Sequence, residues 1–159
     1  MKTGIEKADE VLYKLLRINN DRVECYQKAA EKTHELNLRT VFRSMADESK
    51  KNASALIREI IKSGSNTLGN SFTKRGKGYH VWMGIKAIFS GNDRQSILNS
   101  CEFGENAAQA AYLDAISSSE LTMEARQLVR NQQVALKSFY DVIMTFRAGH
   151  PVTKPSILN

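Results

Sequence analysis

Proline is almost missing from this chain of 159 residues, since the two that occur, Pro151 and Pro155, both lie in the last nine residues. Proline interrupts helix interiors and central strands, so its absence from the preceding 150 residues is typical of long, unbroken secondary structure. With 42% hydrophobic and 25% charged residues, the composition excludes a disordered chain and favours one globular domain.

Cysteine is scarce as well. Cys25 and Cys101 are too few for a disulfide framework and match no zinc motif, so we expect buried free thiols in a reducing compartment. No run approaches the ~18 apolar residues of a membrane span, and the charged N-terminus lacks the apolar stretch of a signal peptide. We therefore predict a cytoplasmic protein without membrane contact.

Apolar residues recur at steps of three and four through four segments, which predicts four long helices. The first runs from about Ile5 to His34, and the second follows Asn37 as N-cap and ends at Gly64. Asp93 caps the third helix, and the fourth stops before Gly149. The apolar stripes of the third and fourth helices include Leu98, Cys101, Ala108, Tyr112 and Ala115, and then Leu121, Ala125, Leu128, Ala135, Phe139, Val142 and Phe146.

The lengths of the connections predict how the helices are arranged. Short loops join the first helix to the second and the third to the fourth, which makes each pair an antiparallel hairpin. About thirty residues, 64–93, separate the two hairpins, and residues 79–89 within them are typical of a short amphipathic helix. We predict an all-α, ferritin-like four-helix bundle with one long crossover over residues 1–148, and a flexible tail over 149–159.

Each apolar stripe is interrupted by polar residues near its middle. Since all four interruptions fall at the same depth, we predict a polar belt inside the core, where unpaired groups would be destabilising. The residues that interrupt the stripes are Asn19, Arg22, Ser49, Glu105 and Gln132, and Glu48 and Asn52 flank the second stripe.

Two interpretations of the belt are open. In the first, Arg22 neutralises Glu105 and Glu48, and the layer only fixes the register of the helices. In the second, the carboxylates hold a metal ion, because di-iron bundles place their ligands at this depth. The sequence favours the first. A di-iron centre uses two Glu-x-x-His motifs, whereas the one here is Glu31–His34 at a helix end.

Three stretches resemble the signatures of a bacterial ferritin-like family of unknown function that is distantly related to bacterioferritins. They are 19–26 (NNDRVECY), 80–93 (HVWMGIKAIFSGND), and 97–105 (ILNSCEFGE) with Tyr112. Their order and spacing are similar to the family's from about residue 9 to 147.

The resemblance implies the fold more than an activity. It also implies that Glu24, Glu102 and Glu105 occupy the family's acidic positions, so these three and Glu48 are the candidate ligands for iron or another divalent metal. Asn106 stands where relatives often have aspartate, which makes the third helix less acidic.

Positive charge is concentrated between the hairpins, where Lys74, Arg75 and Lys77 form a basic cluster in a chain of net charge +6. Clustered lysine and arginine attract phosphate, so association with DNA through this loop is a second alternative.

We expect a structural or stress-associated bundle protein that forms a homo-oligomer, a dimer by default, or binds a protein partner. No motif of nucleophilic or phosphate chemistry occurs, so an enzymatic role is not favoured.

Overall fold

The computed structural model describes residues 1–64 and 93–149, and they form four helices and no strand. The helices are α1 (Gly4–Lys32), α2 (Leu36–Lys62), α3 (Arg94–Ser117) and α4 (Met123–Arg147). The prediction of an all-α four-helix bundle is confirmed.

Local chemistry sets most of the helix ends. The Thr3 hydroxyl accepts from the Glu6 amide and the Glu6 carboxylate accepts from the Thr3 amide, a reciprocal capping box that begins α1. The Asp93 carboxylate accepts from the Ser96 amide at 2.9 Å, so the predicted cap of α3 is confirmed. Gly64, just beyond α2, has φ of +76°, the left-handed conformation that a helix-terminating glycine adopts.

Two helix ends differ from the predictions: one predicted cap is wrong, and one helix ends two residues early. Asn37 does not cap α2, because the helix begins two residues earlier than predicted, at Leu36, with Glu35 as its N-cap. The helix α1 ends at Lys32 rather than His34, because Thr33 is extended and buried in the turn. Arg39 donates to the Thr33 carbonyl at 2.9 Å, so tertiary contacts as well as local sequence fix this loop.

Two apolar clusters form the core. The upper cluster contains Tyr26, Phe42 and Leu98, and the lower cluster contains Leu15, Leu56 and Tyr112. The helices α1 and α4 run from lower to upper, and α2 and α3 from upper to lower. Their first and last core residues show this: Leu12 and Ala30, Leu38 and Ile60, Ile97 and Ala115, Ala125 and Phe146. The hairpin partners α1 and α2 pack extensively, as do α3 and α4, and the hairpins meet through α1 with α3 and α2 with α4.

This order places the end of α2 and the beginning of α3 at opposite ends of the bundle. None of the four helices in the described ranges is both long and apolar enough to cross a membrane.

Candidate functional site: a polar belt at the midplane

Polar side chains from all four helices meet between the upper and lower apolar clusters. Eight residues form this polar belt in two adjacent layers. The ion-pair layer contains Arg22, Tyr26, Ser49 and Glu105, and the amide layer contains Asn19, Asn52, Tyr112 and Gln132. All eight are buried.

Arg22 is the centre of the ion-pair layer. Its Nη1 donates to Glu105 Oε1 on α3, and its Nε donates to Ser49 Oγ on α2 at 3.0 Å. The Tyr26 hydroxyl donates to the same Glu105 oxygen, and the Arg22 guanidinium carbon lies 5.2 Å from the centre of the Tyr26 ring. Both charged side chains are 0% exposed, so the opposite charge on its partner is what makes each tolerable in the core.

The amide layer is a chain of hydrogen bonds that connects all four helices. Asn19 Nδ2 donates to the Leu15 carbonyl at 2.8 Å and to the Tyr112 hydroxyl at 2.7 Å. The Tyr112 hydroxyl donates to Gln132 Oε1 at 2.7 Å, and Gln132 Nε2 donates to the main-chain carbonyl of Asn52 at 3.2 Å. The chain therefore links α1, α3, α4 and α2 in turn.

Burial shifts the acid–base properties of the groups around the belt. Removal from water raises the pKa of Tyr112 to about 12 and places that of Tyr26 well above the usual value for a phenol. Burial likewise raises the pKa of Cys101 to about 12 and that of Cys25 well above the usual value for a thiol. Both thiols stay protonated at neutral pH, which makes them poor nucleophiles.

The structure brings together the five predicted belt residues with Glu105. The predicted contact of Arg22 with Glu48 is not among the contacts of the described residues. Glu48 is half-buried, and its charge contributes to raising the pKa of Tyr112.

The other candidate ligands are separated from the belt. Glu24 is exposed on α1, and Glu102 pairs with Arg147 at 2.9 Å near the surface. Across residues 1–64 and 93–149, no three His, Cys, Asp or Glu side chains are grouped so that they could hold a metal ion. The residues present do not fit a di-iron centre, because one carboxylate faces a fixed guanidinium and no histidine joins the belt.

Sequence reasoning missed the two tyrosines of the belt. Tyr26 and Tyr112 follow the apolar stripes of their helices, so periodicity alone assigned them to the apolar core. Each carries a hydroxyl that needs a partner when buried, and both lie within two turns of a predicted belt residue on their own helix. A buried tyrosine close to a predicted belt residue was therefore the signal in the sequence that could have placed both tyrosines in the belt.

Several predictions lie outside the described residues: the short helix at 79–89, the tail after 149, and the basic cluster Lys74, Arg75 and Lys77. DNA association through this cluster stays a prediction.

Fold and site together define a four-helix bundle whose core is divided by a buried, hydrogen-bonded ion pair. A family described as a domain of unknown function (DUF2383) matches residues 7–118, which include most of α1, all of α2 and all of α3. The chain belongs to this family. The search of curated proteins found no match.

Proposed function

We propose that this chain is a ferritin-like bundle whose polar belt is structural, and that the protein acts through its surface, by self-association or partner binding, rather than through metal–oxygen chemistry. The observation that carries the proposal is the ion pair between Arg22 and Glu105. A guanidinium stays charged at every physiological pH, so it supplies permanently the positive charge that Glu105 would otherwise draw from a metal.

The order of the helices supports the ferritin-like fold. The end of α2 and the beginning of α3 lie at opposite ends of the bundle, which is the arrangement of a bundle with one long crossover.

The belt explains how four long helices keep a unique alignment. Apolar stripes of similar residues tolerate a slide of one turn, whereas such a slide would separate Arg22 from Glu105 and break the amide chain. Buried polar groups that lose their partners destabilise the misaligned state, so the belt favours one register.

The surface offers apolar side chains for an interaction role. Phe103 and Leu113 on α3 are 55% and 53% exposed, so both leave apolar surface open to a partner. A homodimer is the default proposal, and light scattering measures it.

Metal content tests the proposal against a carboxylate metal site. Untagged protein would be analysed by mass spectrometry as purified and after anaerobic incubation with Fe(II) followed by desalting. Glu105→Gln removes the buried carboxylate, and Glu124→Gln, exposed on α4 and outside the candidate ligands, is the control. We expect substoichiometric metal in all three proteins, and no rise in thermal midpoint on adding Fe(II), because only a ligand that binds the folded state stabilises it.

Near-stoichiometric iron in the wild type and in Glu124→Gln, lost in Glu105→Gln, would contradict the proposal. It would instead support a non-standard carboxylate site with iron or oxygen chemistry.

A further inference from the structure

Four polar atoms of the belt have no hydrogen-bond partner among the described residues. Two are donors, Arg22 Nη2 and Asn52 Nδ2, and two are acceptors, Asn19 Oδ1 and Glu105 Oε2. The residues that carry them are between 0% and 5% exposed, so bulk solvent does not reach these atoms. Buried polar atoms are nearly always satisfied in folded proteins, so these four indicate a bound group.

The four atoms belong to neighbouring parts of the belt. Asn19 precedes Arg22 by three residues on α1, and Asn52 follows Ser49, which accepts from Arg22, by three residues on α2. Residues three apart are neighbours on one helix face and differ by ~4.5 Å along the helix axis, so the two layers are less than one turn apart on α1 and α2. Glu105 is bonded to Arg22, and the amide chain runs from the Asn19 side chain to the main-chain carbonyl of Asn52.

The chemistry of the four atoms selects the ligand. A metal cation needs acceptors alone and would be repelled by Arg22. An anion needs donors alone and would be repelled by Glu105. Two donors and two acceptors around a neutral ion pair fit a small neutral molecule that both donates and accepts, and water donates two hydrogen bonds and accepts two.

We propose that the belt binds ordered water inside the core. The water accepts from Arg22 Nη2 and Asn52 Nδ2 and donates to Asn19 Oδ1 and Glu105 Oε2, either as one molecule or as a bridged pair between the layers. The inference rests on the structural belt proposed above and adds an integral solvent component to it.

Water enclosed at the midplane leaves only when the helices separate, so its residence time is long. Oxygen-17 magnetic relaxation dispersion counts such long-lived internal water. In labelled wild-type protein, cross-relaxation between water and the side-chain amides of Asn19 and Asn52 reports the same water at its site. We expect a dispersion from the wild type and cross-peaks at both amides.

A pair of variants assigns the water to the belt. Asn52→Leu removes a donor from the belt, and Asn131→Leu makes the same change on the exposed face of α4. We expect Asn52→Leu to lose at least one long-lived water and Asn131→Leu to lose none. The wild-type cross-peaks test the proposal even if Asn52→Leu does not fold.

An equal number of long-lived waters in the two variants, or no cross-peak at either amide, would overturn the inference while leaving the structural belt intact. A high-resolution crystal structure with the four atoms paired directly to one another would do the same. A metal ion at this position would overturn both the water and the proposed function, so the two failures are distinguishable.

Discussion

Replacing Glu105 by leucine should destabilise the bundle more than any surface substitution. Glu105 accepts from Arg22 Nη1, and both side chains are 0% exposed. In Glu105→Leu the guanidinium keeps its charge and its contact with Ser49 but loses the carboxylate. Removing one member of a buried ion pair costs about 3–5 kcal/mol, a large part of the roughly 5–15 kcal/mol that stabilises a typical domain.

The loss of stability on replacing Arg22 should depend on pH. In Arg22→Met the buried Glu105 carboxylate loses its cation but can become neutral by taking up a proton, which a guanidinium cannot do by losing one. The folded variant then binds one more proton than the unfolded chain near neutral pH, so its stability falls as pH rises. We expect Arg22→Met to be clearly less destabilised at about pH 5 than at about pH 8, and Glu105→Leu to be equally destabilised at both.

The double variant Arg22→Met/Glu105→Leu completes a thermodynamic cycle. It leaves no charge in the ion-pair layer, although the Tyr26 hydroxyl loses its acceptor Glu105 at roughly 1–3 kcal/mol, while the Ser49 hydroxyl keeps its bond to the Met45 carbonyl. Because apolar replacements of buried ion pairs are often neutral or stabilising, the double variant should be less destabilised than the sum of the single variants by at least about 2 kcal/mol.

Urea unfolding followed by far-UV circular dichroism measures all four corners of the cycle, with Glu102→Gln as the surface control. Glu102 pairs with Arg147 near the surface, so its loss should cost less than about 1 kcal/mol. Additive single and double variants, or a Glu105→Leu penalty no larger than that of the control, would refute the argument that the ion pair supports the belt.

Three further outcomes follow from the geometry. Cys25 and Cys101 should not react with a thiol reagent in native buffer, because burial raises the pKa of both thiols. Both should react in guanidinium, which unfolds the chain. Rapid labelling of the native protein would contradict this. Burial holds the pKa of Tyr112 at about 12, above its ordinary value of 10.0, so its contribution to stability is complete below pH 10 and is lost as pH rises toward 12. Tyr112→Phe should therefore weaken the alkaline dependence of the urea midpoint, and an unchanged dependence would argue against this cause. Gly64→Ala should lower the free energy of unfolding by about 1 kcal/mol, since φ of +76° is unfavourable for alanine. Gly4→Ala in the first turn of α1 should be neutral or slightly stabilising. Equal urea midpoints for the two variants would contradict the strain argument.

The sequence was most informative where one local interaction decides the outcome. Asp93 could be identified as a cap because a carboxylate before an apolar-periodic run satisfies free amides of the first turn, and Gly64 because it tolerates the left-handed conformation. Asn37 was predicted on the same grounds and is wrong. Burial of Thr33 and the bond from Arg39 to its carbonyl fix the turn instead, and periodicity carries no information about these contacts.

The belt shows where reasoning from a single chain stops. Polar residues in apolar stripes predicted a polar layer that includes Arg22, because a buried charge must be compensated. The sequence offered Arg22 two carboxylate partners, and only packing distinguishes them: Glu105 points into the core, whereas Glu48 is half-buried. Had Arg22 faced outward, the same stripes would have left Glu105 in need of another cation. The direction of one guanidinium therefore separates a structural belt from a metal site, and the proposed function depends on it.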